Sequence, residues 1–435
     1  MFGYYLELAL RSFRSNKAVT ALMVLAIGLG IGASMTTLTV YHVLSADPLP
    51  GRGERVFNVQ LDVGPLASQR AGGEPEQQLT RFDAEALLRE GRARHQAMMA
   101  GGGIVAEIDG PAAQKPRRVD ARYSSADFFA MFGAPFAQGR GWTAEDDAQH
   151  ARVAVISSQL AEQLYGSANP LGRSLRLQDS EFRVIGVLGA WRPVPHFYDV
   201  FFGEYVEPED VYLPLSTAHE LVLPRSGSMN CWARDRLNDP RALNAACSWI
   251  QYWVELDSAA EAPAFLAYLN EYSARQQAAG RFERAPNARL RNVQDWLRYK
   301  QVLPGDVRLQ LWLALGFLLV CLLNTVGLLL SRCLRAAPQI GLRRALGASR
   351  AAIFSQFLVE AGLLGLFGGL LGLALAWLGL MGVRQSPSDY ARLAALDLPM
   401  LLATLAVAVI ASLLAGVLPA WRAAGVPPAL HLKAQ

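Results

Sequence analysis

Four long apolar runs constrain this chain more than any other feature: Ala18 to about Leu44, about Leu309 to Leu330, about Ile353 to Leu380, and Leu398 to Leu418. Each reaches or exceeds the roughly 20 residues a helix needs to cross the hydrocarbon core of a bilayer. At 52% hydrophobic and 18% charged, the chain is too apolar for an ordinary soluble enzyme. Residues 45–306, between the first two runs, are mixed in composition and predict one large folded domain.

Charge orients the runs. Residues 45–306 carry 28 Lys+Arg against 33 Asp+Glu, and the rest of the chain carries 13 against 4. The excess base flanks the spans, where Lys and Arg mark the cytoplasmic side. The mildly acidic large domain lacks the basic face that nucleic acid requires. With the N-terminus inside, Arg11, Arg14, Lys17, the five arginines from Arg332 to Arg350, Arg422 and Lys433 are all cytoplasmic, beside a single acid, Glu7. The expected fold is a membrane protein with four transmembrane α-helices and a large α+β extracytoplasmic domain inserted between helices 1 and 2. Its divisions are a cytoplasmic amphipathic surface helix (1–17), span one (18–44), the extracytoplasmic domain (45–306), span two (309–330) and a basic cytoplasmic loop (331–352). Span three (353–380), a short external loop (381–397), span four (398–418) and a cytoplasmic tail (419–435) follow. The first apolar run is too long for the core of a cleaved signal peptide and reads as an anchor.

Within the large domain, Arg55–Val63 predicts a strand, and the stretch beginning Phe82-Asp83-Ala84 a helix. A short helix is expected after Tyr123-Ser124-Ser125, with serine as N-cap. Residues 151–188 then read as a buried strand, a helix closed by Gly166, and two strands joined through Gln178-Asp179-Ser180. Asp239-Pro240 resembles a helix start and predicts a helix through Ala242 to about Trp253. A second helix is expected over about Ala260 to Ala279. The Gly101-Gly102-Gly103 run lacks the context of a phosphate loop and reads as a flexible turn.

No catalytic pattern stands out. The sequence holds no G-x-x-x-x-G-K-[ST], no H-E-x-x-H and no G-x-S-x-G, and its six histidines are scattered. No cofactor or metal is expected on this chain. Cys231 and Cys247 both fall in the large domain and are either one disulfide or two buried thiols. Glu360 lies inside span three, where a charge needs a partner or water. It is either a polar link between helices or a carboxylate near the cytoplasmic edge, within reach of arginines such as Arg350. Gly28 and Gly32 in span one, and Gly365, Gly368, Gly369 and Gly372 in span three, predict close-packing faces. Whether the span-three face meets this chain's own helices or a partner stays open at this point.

The segment Gln339-Ile340-Gly341-Leu342-Arg343-Arg344-Ala345-Leu346-Gly347-Ala348-Ser349 resembles the cytoplasmic coupling helix of MacB/FtsX-like ABC transporter permeases, written E-I-G-x-R-[RK]-A-x-G-A. Gln339 stands where the family has Glu. Tyr5–Ala33 is similar to that family's surface helix and first span, and Val119–Val187 is similar to its MacB-type core domain. The resemblance implies a permease subunit of a bacterial inner membrane that exports a small molecule or peptide. It also implies two copies of a separate ABC ATPase carrying the ATP and Mg, and a second permease, the same or similar. Further implied partners are a periplasmic adaptor and an outer-membrane duct. Other readings are lipoprotein extraction, control of a cell-wall hydrolase, and a membrane-anchored scaffold without ATPase.

Overall fold

Apolar residues at three- and four-residue spacing make α1 (Phe2–Ser15) a helix that buries Ala9 and Phe13 and leaves Tyr4 and Leu10 exposed. The computed structural model describes residues 2–68, 73–107, 116–232, 239–303, 305–385 and 398–425. The chain divides into two units, Met1–Ser45 with Leu303–Gln435, and Ala46–Val302. After α1 the first unit continues into α2 (Lys17–Leu44).

The Ala46–Val302 unit opens with β1 (Val56–Gln60), β2 (Leu79–Thr80), α3 (Arg81–Glu90), β3 (His95–Glu107), β4 (Arg117–Ser124), α4 (Phe128–Phe132) and β5 (Phe136–Gly139). Then come α5 (Ala144–Ala148), β6 (Val153–Ser157), α6 (Ser158–Tyr165), β7 (Ser174–Leu177), β8 (Ser180–Leu188), β9 (Val211–Pro214) and α7 (Leu215–Glu220). The unit ends with β10 (Arg225–Ser226), β11 (Asn230–Cys231), β12 (Cys247–Glu255), α8 (Ala262–Ala278), β13 (Arg289–Asn292) and α9 (Val293–Tyr299). The main sheet order is β13-β1-β12-β3-β4-β9-β6-β8-β5, parallel at β4–β9 and β6–β8. Local signals explain several boundaries. Thr80 and Ser157 accept hydrogen bonds from the backbone N–H groups of Asp83 and Leu160, capping α3 and α6. Gly91 ends α3 in the left-handed conformation at φ +59°.

Three sequence expectations are corrected here. Residues 242–253 do not form a helix: Cys247–Glu255 is strand β12, buried along its whole length between β1 and β3. A strand buried on both faces shows no alternation of apolar and polar residues, so its Trp, Ile, Tyr and Val content is the only signal left. Asp239 instead accepts from the Arg241 backbone N–H at 2.9 Å, a turn rather than a helix cap. The Gly101–Gly103 run is no flexible turn but lies inside β3. A Cβ at Gly102 would sit 2.2 Å from the hydroxyl of Tyr123 on β4, so glycine makes room for that ring, whose hydroxyl donates to the Pro224 carbonyl at 2.8 Å. Finally, Ser124 ends β4 and caps nothing. The neighbouring Ser125 hydroxyl accepts from Met98 N–H and donates to the Gln96 carbonyl, both at 3.2 Å, while α4 starts at Phe128.

The chain returns to the first unit with α10 (Gly305–Ala345), α11 (Arg350–Arg384) and α12 (Leu398–Ala424). With α2 they make four helices long and apolar enough to cross a membrane. The basic segment at 331–352, expected as a loop with a coupling helix, has its helical part as the continuation of α10 to Ala345, then a four-residue turn and the start of α11 at Arg350. Pro338 lies within α10, where its missing N–H forgoes a bond to the carbonyl of Leu334, a residue on the exposed face. Most of the expected external loop and the end of the expected tail, residues 386–397 and 426–435, lie outside the described residues.

Candidate functional site at the arginine-rich helix ends

The segment Gln339–Ser349 divides into three parts, each with its own physical cause. Gln339–Ala345 forms the last two turns of α10, with Ile340 and Gly341 buried. Leu346–Gly347–Ala348 then turns the chain. Gly347 has φ +100°, its N–H donates to the Arg344 carbonyl at 3.1 Å, and the Ala348 N–H donates to the Arg343 carbonyl at 3.0 Å. That pair of bonds is a Schellman cap, and the left-handed residue at its centre is best served by glycine. Ser349 starts the next helix, accepting from Ala352 N–H at 3.1 Å. Glycine thus stops one helix and serine starts the other, which turns the chain from α10 into α11.

The apolar side chains of this segment do not share one face. Ile340 is buried with Ile353 and Phe357, whereas Leu342 is 56% exposed and Leu346 80% exposed. Arg343 donates to Gln356 at 3.0 Å across the hairpin and remains exposed, as do Gln339, Ala345 and Ser349; Arg344 is half-buried. The tip therefore presents two leucines beside basic groups, a surface suited to an acidic partner with an apolar pocket.

Glu360 is a polar link between helices, the first of the two readings offered for it. Arg332 on α10, not Arg350, lies against it, with Nη1 2.6 Å from Oε1. The Ser12 hydroxyl on α1 accepts from Arg332 Nη2 at 2.6 Å and donates to Glu360 Oε1 at 3.2 Å. The three groups tie α1, α10 and α11 together, and the Arg332 guanidinium also lies 5.6 Å from the Phe13 ring centre. Sequence reasoning missed Ser12, which has no distinguishing signal, and missed the pairing of Arg332. The latter had one: Arg332 and Glu360 are nearly equidistant from Gly347, and a hairpin folded there brings them side by side.

The glycines of span three serve two neighbours. A Cβ at Gly368 or Gly372 would meet Ile27 or Ile31 of α2 at 2.5 and 2.8 Å. One at Gly365 or Gly369 would meet Ser412 or Ala408 of α12 at 2.6 and 2.8 Å. Gly28 and Gly32 complete the α2 side, facing Leu371 and Leu375. The expected packing face thus sits among this chain's own helices. In the other unit Cys231 and Cys247 form a disulfide between β11 and β12. Among the described residues no cluster of side chains is arranged to hold a metal.

The family of MacB-like periplasmic core domains matches residues 20–272, and the family of FtsX-like permease C-terminal domains matches residues 312–428. The macrolide export ATP-binding/permease protein MacB of Marinobacter nauticus is 26% identical over 441 residues, covering 97% of this chain and 59% of its own length. The pyoverdine export ATP-binding/permease protein PvdT of Pseudomonas entomophila is 26% identical over 431 residues, covering 99% of this chain and 59% of its own. The chain therefore spans about three-fifths of the length of these relatives. Among solved structures, the periplasmic region of MacB from Actinobacillus actinomycetemcomitans is similar at 16% identity with a TM-score of 0.37, covering 59% of this chain and 96% of that one.

Proposed function

Because the chain belongs to the MacB/FtsX-like family of ABC transporter permeases, we propose that it couples ATP hydrolysis on a separate ATPase to movement of its Ala46–Val302 domain, in export of a small molecule or peptide. The observation that carries this reading is the tip of the α10–α11 hairpin, where exposed Leu342 and Leu346 stand beside Arg343 and Arg344 on a rigid, capped turn. An ATPase surface with an apolar notch and acidic rim docks there. Two ATPases, carrying ATP and Mg, and two permeases make the working unit, with the outward faces of α10 free to meet lipid or the second permease. Force reaches the domain through α2 and α10, the helices that precede and follow it in sequence. The chain sits in a bacterial inner membrane with both termini cytoplasmic and the large domain periplasmic, where its disulfide survives. An adaptor and an outer-membrane duct receive the exported molecule.

Charge reversal tests the docking surface. Arg343→Glu with Arg344→Glu is expected to lower copurification of the ATPase and its coupled ATP hydrolysis at least tenfold, since each lost charge contact across an interface is worth about 1–2 kcal/mol or more. Unchanged copurification and activity would remove the tip from the coupling mechanism.

A further inference from the structure

Between α1, the start of α2, α10 and α11 lies a cleft of about 430 Å³. Four arginines line it, Arg11, Arg332, Arg335 and Arg343, against one carboxylate, Glu360, which is taken up by Arg332 and Ser12. Among the described residues, Arg335 and Arg343 have no carboxylate partner, and Arg11 is paired with Glu7, which is outside the lining. Arg335 donates to Ser331 at 3.2 Å, Arg343 to Gln356 at 3.0 Å, and Arg11 meets Glu7 on the exposed surface at 2.6 Å. A guanidinium has five N–H donors, so most of those facing the cleft are unspent by these bonds. Deeper in, Arg332 Nη1 is buried and off line for a hydrogen bond to Glu360 despite its 2.6 Å approach.

Part of the lining is apolar, with Leu8 and Val19 from α1 and α2 and Ile353 and Phe357 from α11. Arginines and apolar side chains lining one cleft, with amphipathic α1 contributing to it, match a molecule with a phosphate head and a hydrocarbon body. Inorganic phosphate would satisfy the arginines and leave the apolar side chains bare.

We propose that this cleft binds the phosphate of an anionic phospholipid from the cytoplasmic leaflet and thereby fixes α1 against the α10–α11 hairpin. The proposal takes the membrane orientation from the preceding reading and nothing from its ATPase. The test uses the full chain in phosphatidylcholine nanodiscs containing phosphatidylglycerol, with retained lipid measured by native mass spectrometry after release into detergent. Phosphatidylglycerol is expected to be retained in preference to phosphatidylcholine. Arg11→Gln with Arg335→Gln, neither residue in the Gln339–Ser349 segment, is expected to lower that preference about tenfold. Arg11→Lys with Arg335→Lys is expected to keep most of it, which separates lost charge from a misfolded helix. Equal retention of the two lipids, or a preference the glutamine substitutions leave unchanged, overturns the proposal. A second arm adds inorganic phosphate: displacement of the lipid at millimolar phosphate assigns the cleft to the free anion and also overturns it. Because ATPase copurification is measured separately, loss of lipid preference with the ATPase still bound is distinguishable from failure of the docking reading.

Discussion

Arg122 and Arg332 are both buried against a carboxylate, one in each unit, and they are held in opposite ways. Arg122 on β4 donates from Nε to Glu209 at 2.9 Å, from Nη2 to Asp199 at 2.7 Å and from Nη1 to Gln251 at 3.1 Å. Its partners are themselves bonded: Tyr198 donates to Glu209 at 2.8 Å and Gln251 donates to Asp199 at 2.5 Å. Burial works against both charges, yet Glu209 and Asp199 hold the Arg122 guanidinium above its ordinary value. In the same way burial would raise Glu209, but Arg122 and His196 hold its carboxyl well below the usual range. Among the described residues Arg332 bonds only Glu360 and Ser12, beside the Phe13 ring, and it borders an open cleft. A saturated network pins strands in one arrangement, whereas an under-filled one leaves donors for something else to bind.

The largest expected effect breaks the saturated side. Arg122→Met leaves Glu209 and Asp199 buried without their cation, and is expected to destabilise the Ala46–Val302 unit by about 3–5 kcal/mol. Unfolding of the full chain followed by tryptophan fluorescence measures it; a loss below about 1 kcal/mol would mean the two arginines do not differ in kind. The pH dependence has a definite sign. A carboxyl held low adds stability that is fully present above the ordinary carboxylate range and is lost progressively as pH falls from that range through its lowered value. The unit is therefore expected to lose stability steadily below the ordinary carboxylate range, and Glu209→Gln to be less stable at neutral pH and flatter on the acid side.

A smaller effect is expected on the open side. Glu360→Gln keeps the shape of the side chain and an acceptor for Ser12 but removes the charge facing Arg332. It is expected to lower the stability of the helical unit by about 1.5–3 kcal/mol, the range for a hydrogen bond to a charged group. A cycle combining it with Ser12→Ala, read by thermal denaturation in detergent, should show coupling of about 0.5 kcal/mol or more if the three groups act as a unit. Additive losses would mean that α1 is held to the hairpin by Phe13 and its apolar neighbours alone.

How far the sequence foretold these two sites follows from what each rests on. Spans, charge asymmetry and the capped helices α3 and α6 depend on local signals of composition and periodicity, and those are legible. The Gln339–Ser349 segment was legible as a family resemblance, but as a single helix; the turn at Gly347 that ends α10 emerges only from the bonds that close it. Arg122 was invisible because its partners Asp199, Glu209 and Gln251 come from far along the chain and from strand pairings no window can contain. Strand β12 was misread for a related reason, since burial on both faces erases the period that marks a strand. The cleft required α1 and α10 to meet, and nothing in either helix announces the other.

The smallest effect is expected at Gly347, and it sharpens the distinction between holding the hairpin and docking a partner. A Cβ there would meet no atom within 4 Å, so sterics with neighbours are not at issue. Only the backbone is, because φ +100° is a conformation that side chains with a Cβ rarely adopt. Gly347→Ala is expected to weaken the Schellman cap by about 1 kcal/mol, and Gly347→Asn by less, since asparagine tolerates positive φ. If the tip works as a rigid docking element, the order Gly, Asn, Ala should reappear in coupled ATP hydrolysis measured with the ATPase bound. If it works through the leucine and arginine side chains alone, the three proteins should hydrolyse ATP equally while differing slightly in stability, and the geometry of the turn would then matter only to the hairpin and not to its partner.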